Sequence, residues 1–120
     1  MPKYLFGDFL RKTRERLQAD GAPEFSLRQV AGRVGIEPAY LSKIERGETP
    51  PPSEATIVRL AQDLNQDADV LLAMAGKVST DLQTVIRKRP QLFAALIKEL
   101  KGAPDHALLR LVREIRDGSW

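Results

Sequence analysis

The chain has 120 residues, 42% hydrophobic and 29% charged, with a formal net charge of +3. That suits one ordinary domain, or a small domain with an appendage, and excludes a disordered chain. With 0 Cys and 1 His, disulfides, thiol catalysis and a zinc site are excluded.

No apolar run approaches the ~18 residues of a membrane span. The start, MPKYLFGDFLRK, has the wrong flanks for a secretory signal. A cytoplasmic protein is therefore expected, with no membrane partner. The charge is uneven. Residues 1–76 carry ten Lys and Arg against eleven Asp and Glu, and residues 77–120 carry nine against five. Any nucleic-acid binding by the first part must come from the placement of charge, not its sum.

In chain order, a first helix is expected from Tyr4 to Gln18. Leu5, Phe6, Phe9, Leu10, Thr13 and Leu17 form its inner stripe, and Arg11, Lys12, Arg14, Glu15 and Arg16 its polar faces. Gln18 to Phe25 reads as a loop from its Gly and Pro. Phe25 is placed as a staple ahead of the next helix.

That helix opens at Ser26, which can cap it, and Gln29 can reach back to complete a capping box. Leu27, Val30, Ala31 and Val34 fall at helical spacing. Gly35 stands where a tight turn needs positive φ. Pro38 suits the first position of a second helix, which runs to Arg46 and stops at Gly47. Leu41 and Ile44 face inward there, leaving Ala39, Tyr40, Ser42, Lys43 and Arg46 outside. Small Ala31, turn Gly35, and inward Ile36, Leu41 and Ile44 make the helix-turn-helix pattern.

The following residues, Glu48 to Ser53, hold three prolines and form a stiff connector. A fourth helix is expected from Glu54 to Leu64, capped by Ser53, with Ile57, Leu60, Ala61 and Leu64 inward. A fifth, from Asp67 to Ala75, carries Val70, Leu71 and Met74 and ends at Gly76.

The string AYLSKIERGETPPPSEATIVRLAQDLN resembles the lambda-repressor-like DNA-binding domain of the Cro and phage-repressor (XRE) family. Ala31, Gly35, Tyr40, Leu41, Ser42, Ile44, Glu45, Gly47, Pro51, Leu60, Ala61 and Leu64 carry the resemblance, over roughly residues 4 to 76. It implies an all-α fold: a five-helix DNA-binding domain over residues 1–76.

The resemblance implies a sequence-specific transcriptional regulator, a dimeric repressor reading double-stranded DNA through the major groove. Its position along the motif makes Pro38, Ala39, Ser42 and Lys43 the base readers. Pro38 and Ala39 lack hydrogen-bonding side chains and can read only thymine methyls or shape. Lys43 is the candidate for a guanine edge. Arg28, Gln29, Tyr40, Arg46 and Thr49 are placed for the DNA backbone. The prolines around Thr49 fit equally a rigid connector that aims the fourth helix. Arg14 and Glu45 match a family pair that fixes how helices dock.

Residues 77–120 form a helical extension of about three amphipathic helices, read as the dimerisation region. Thr80 with Gln83 can cap the first, which bears Leu82, Val85 and Ile86. Pro90 opens the second, with Leu92, Phe93, Leu96, Ile97 and Leu100, stopped by Gly102. The third starts at Pro104 and Asp105, carries Leu108, Leu111, Val112 and Ile115, and ends at Gly118. Three such stripes in so short a segment cannot all bury on one another. A homodimer is expected to cover them; folding back on the first domain is the alternative. Arg87, Lys88 and Arg89 read as a solvated helix end.

No nucleophile–base constellation surrounds His106. The run from Gly76 to Thr80 lacks the first glycine and the Lys-Ser/Thr of a phosphate loop. No metal, cofactor or enzyme activity is expected. Two rival functions share the sequence. One is an antitoxin whose C-terminal helices cap a toxin while it regulates its own operon. The other is a coactivator-like interaction module.

Overall fold

The computed structural model describes residues 5–118, and all regular structure among them is helical. The chain divides into two compact units, Met1–Ser79 and Thr80–Trp120. The sequence places that boundary at 76/77.

The first unit holds α1 (Leu5–Ala19), α2 (Leu27–Val34), α3 (Pro38–Glu45), α4 (Glu54–Asp63) and α5 (Ala68–Met74). The expected start of α1 at Tyr4 lies outside the described residues. Phe6, Leu10, Thr13 and Arg14 are its buried side chains, at helical spacing on one face. Leu5 precedes Phe6 by one residue, so a ~100° rotation turns it away. It is exposed, which removes it from the expected inner stripe. The loop after α1 is not plain coil either, because Pro23–Phe25 forms a 3-10 turn.

Around α1 the core closes with Val30, Ala31 and Val34 of α2, Leu41 and Ile44 of α3, and Ile57, Leu60 and Ala61 of α4. Leu64, Leu71 and Leu72 complete it. Burying each large aliphatic side chain contributes about 1.5–3 kcal/mol. Helix α5 differs from its expectation in one respect. Ala68, Leu71, Leu72 and Ala75, at i, i+3, i+4, i+7 spacing, take the core side. Val70 is left exposed. Asp67 caps the helix, its Oδ1 accepting from the N–H groups of Asp69 (2.8 Å) and Val70 (3.1 Å).

The second unit holds α6 (Thr80–Lys88), α7 (Pro90–Leu100) and α8 (Asp105–Asp117). Pro90 opens α7, where its missing N–H costs no hydrogen bond. Helix α6 includes Thr80 itself rather than starting after it. Helices α6 and α7 touch, yet no residue of α6, α7 or α8 is buried. Leu82, Val85, Leu92, Leu96, Ile97, Val112 and Ile115 are exposed, Leu92 by 67% and Ile115 by 60%. Ile86, Phe93, Leu100, Leu108 and Leu111 are half-buried. Leu109, which the sequence reading did not single out, is also exposed.

Candidate nucleic-acid interface

The local frame is built at both ends of α2. Ser26 Oγ accepts from the Gln29 N–H at 3.3 Å. The reciprocal half of the expected capping box does not form. The Ser26 N–H is already taken by the Pro23 carbonyl at 3.1 Å, because the 3-10 turn carries it there. Phe25 packs against the core, and the Arg33 guanidinium lies 5.4 Å above its ring.

At the other end, Gly35 closes α2 in the left-handed region, with φ 87°. Its N–H and that of Ile36 both donate to the Ala31 carbonyl, at 2.9 and 3.0 Å. Arg59 of α4 adds a brace, its Nε donating to the Val34 carbonyl at 2.9 Å and its Nη2 to Thr56 Oγ1 at 3.2 Å. Two of the carbonyls that α2 leaves unpaired at its C-terminus are thus satisfied.

Pro38 then begins α3 after extended Glu37. Leu41, Ile44 and Glu45 are the buried residues of this helix. They sit at i, i+3, i+4 and so mark one face. Ala39, Ser42, Lys43 and Arg46, again at helical spacing, mark the opposite one. Ala39, Lys43 and Arg46 are exposed, while Ser42 and Pro38 are half-buried. Tyr40 is exposed beside them. Arg28 and Gln29 are exposed in the first turn of α2. Thr49 lines an open concavity with Gly47, Glu48, Pro50 and Pro51.

Two contacts with α1 fix the rotation of α3. Arg14 grips Glu45 with two charge-assisted hydrogen bonds, Nε to Oε2 at 2.8 Å and Nη2 to Oε1 at 3.0 Å. Its Nη1 also reaches the Phe25 carbonyl at 3.4 Å. The hydrogen bond to Glu45 raises the Arg14 pKa further above its ordinary value. The second contact is at Gly7. A Cβ there would run into the Ile44 carbonyl oxygen and come within 2.8 Å of that of Glu45. Only glycine lets α1 approach so near the end of α3.

Ion pairing decides which cations remain. Asp8 holds Arg11 and Lys12. Arg33 of α2 grips Asp63 of α4 at 2.6 and 3.1 Å. Within α2 and α3, Arg28 and Lys43 are the cations with no ion pair among the described residues. Arg46, expected to reach for phosphate, is engaged within the chain. Its Nε and Nη2 meet Glu48 at 2.7 and 3.2 Å, and its Nη1 donates to Ser42 Oγ at 2.6 Å. Arg46 holds the Glu48 carboxyl below its ordinary pKa, with a smaller contribution from Lys43.

Sequence reasoning missed Gly7, Arg33, Arg59 and Glu48. For Glu48 a signal existed, an acid two residues from Arg46. For the others the partners are distant in sequence. Among the described residues no group of three or more His, Cys, Asp or Glu could hold a metal ion. No described helix is long and apolar enough to cross a membrane.

Residues 5–74 match the family described as "Helix-turn-helix domain". The chain is also 36% identical over 70 residues to uncharacterised HTH-type transcriptional regulators from two strains of Mycobacterium tuberculosis. That alignment covers 58% of this chain and 45% of each relative, so the chain spans less than half of their length. No solved structure matches it significantly.

Proposed function

The chain belongs to the helix-turn-helix domain family, and from that premise we propose that it is a DNA-binding transcriptional regulator working as a homodimer. It acts in the cytoplasm, as a binding protein and not an enzyme, and represses by occupying a near-palindromic operator. The observation that carries this reading is the division of α3. Leu41, Ile44 and Glu45 anchor it, and Ala39, Ser42, Lys43 and Arg46 stand on the opposite face. A helix held that way can enter the major groove, about 12 Å wide, with its reading side outward.

Lys43 gives a donor for guanine O6 or N7, worth about 1–3 kcal/mol of discrimination. Ala39 and Pro38 offer apolar contact to a thymine methyl. Arg28 and Gln29 reach phosphate from the start of α2, where the positive end of the helix dipole also favours an anion. Tyr40 and Thr49 add hydroxyls toward the backbone.

The second copy comes through α6–α8. A unit this small usually needs disulfides, a metal or oligomerisation to be stable. It has no cysteine and buries no described residue. Apolar faces such as that of Val85, Leu92, Phe93 and Leu96, with Arg89 at the rim, await another chain. Pairing two chains duplicates the reading helix, which suits a two-fold operator.

Selection of duplexes from a random pool by the full chain tests the proposal. Enrichment of a near-palindrome with half-site centres about one helical turn, ~34 Å, apart is the expected result. A pool left without any enriched motif contradicts it.

A further inference from the structure

Glu48 is an acid on the stretch proposed to run along the phosphates, where bare electrostatics disfavours one. It takes Arg46 with both carboxylate oxygens, at 2.7 and 3.2 Å. The pair is about half exposed, so it contributes little to stability. Its effect must be sought in what it does to the reading face.

Two consequences follow from the geometry. First, the Arg46 charge is neutralised locally by the paired carboxylate. Second, Arg46 Nη1 donates to Ser42 Oγ at 2.6 Å. A serine hydroxyl has two lone pairs and one hydrogen. With one lone pair occupied by a cationic donor, the oxygen keeps its second lone pair and its hydrogen, and polarisation by the cation strengthens the hydroxyl as a donor. In the major groove it then favours an acceptor: guanine O6 or N7, adenine N7, or thymine O4.

We propose that Glu48 is a specificity-determining residue, which through Arg46 withholds a cation from indiscriminate phosphate binding and sets Ser42 as a hydrogen-bond donor to a base edge. This rests on the DNA-binding reading given above. Specificity is a difference of affinities, and weakening the binding to every other sequence raises it as surely as strengthening one contact. The helix-turn-helix face carries few cations without an ion pair, so one more or less changes that balance.

The test uses the full chain as wild type, Glu48→Gln, Arg46→Ala and the double variant. Each is titrated against the duplex selected by wild type and against a scrambled duplex of equal length, over a range of salt. Glu48→Gln should bind the scrambled duplex more tightly. Its plot of log K against log salt should steepen by about 0.9, an extra loss of roughly threefold between about 50 and 200 mM. The preference for the selected duplex should fall. Adding Glu48→Gln to Arg46→Ala should change neither slope nor preference, because the carboxylate acts through that guanidinium.

Glu48→Gln matching wild type in slope and preference overturns the inference while leaving the DNA-binding reading intact. So does an effect of Glu48→Gln that persists undiminished without Arg46, since it points to direct repulsion of phosphate. A wild type that prefers no duplex overturns both readings at once.

Discussion

Arg14 and Glu45 meet across 31 positions of sequence, and both are buried where α1 crosses the end of α3. The paired geometry, 2.8 and 3.0 Å, leaves neither charge uncompensated. It also ties the inner face of α3 to α1, so the outer face points one way.

Removing one partner of this pair should cost much more than removing both. Arg14→Met strands a buried carboxylate and should lose about 3–5 kcal/mol. Arg14→Met with Glu45→Met should recover a large part of that loss. Urea denaturation of the single and double variants measures the coupling. Additive losses would show that the two charges act independently.

Gly7→Ala should destabilise the first unit although it improves helix propensity. The new methyl meets the Ile44 and Glu45 carbonyls, and backbone cannot yield as a flexible side chain does. Overpacking of this kind costs about 1–3 kcal/mol. Gly32→Ala, with nothing near its Cβ site, should instead leave stability unchanged or raise it slightly. Thermal unfolding of the two variants compares them directly.

Lys43→Ala and Arg28→Ala should fail in different ways. The first should relax sequence preference, losing about 1–3 kcal/mol on the selected duplex and little on others. The second should weaken binding to all duplexes alike and flatten the salt slope by about 0.9. Salt titrations in which the two variants behave identically would remove their separate roles.

The full chain should sediment as a dimer. Leu92→Glu together with Val85→Glu, both at exposed apolar positions, should shift it to monomer by placing unpaired carboxylates in a buried interface. Helical content should persist in the first unit. A monomeric wild type at micromolar concentration contradicts the dimer, and a stable complex with a different protein would favour the antitoxin reading.

Asp8 and Glu48 should titrate below ordinary carboxylates. Asp8 is lowered first by its hydrogen bond to Lys12, with the Lys12 and Arg11 charges adding. Glu48 is lowered first by its hydrogen bond to Arg46. A carboxyl depressed in the folded state stabilises fully above its unfolded pKa. That contribution fades as pH falls through the folded value. The loss therefore belongs to the acid side of the usual carboxylate range, below roughly pH 4. Carboxyl chemical shifts followed by NMR from neutral pH downward give both midpoints.

Much of this protein was legible as sequence because its signals are local. Ser26, Gly35, Pro38, Ser53, Asp67 and Pro90 mark helix ends through their own backbone preferences. Val30, Ala31, Val34, Leu41 and Ile44 repeat at a period that depends only on helix geometry. Such features need no knowledge of the rest of the chain, and they suffice for the helix-turn-helix and its outward residues.

Tertiary structure decided what depends on meetings between distant positions. Gly7 is ordinary as sequence and becomes indispensable only where α3 carbonyls stand against it. Arg59 reads as a surface cation until the fold lays it on the Val34 carbonyl. Arg33 and Arg46 count equally with Arg28 and Lys43 in any charge sum. Only folded proximity to Asp63 separates Arg33 from Arg28 and Lys43, which have no ion pair among the described residues. The reason is physical: backbone preference and helical period are properties of neighbours, whereas close approach and Coulomb pairing are set by distance in space.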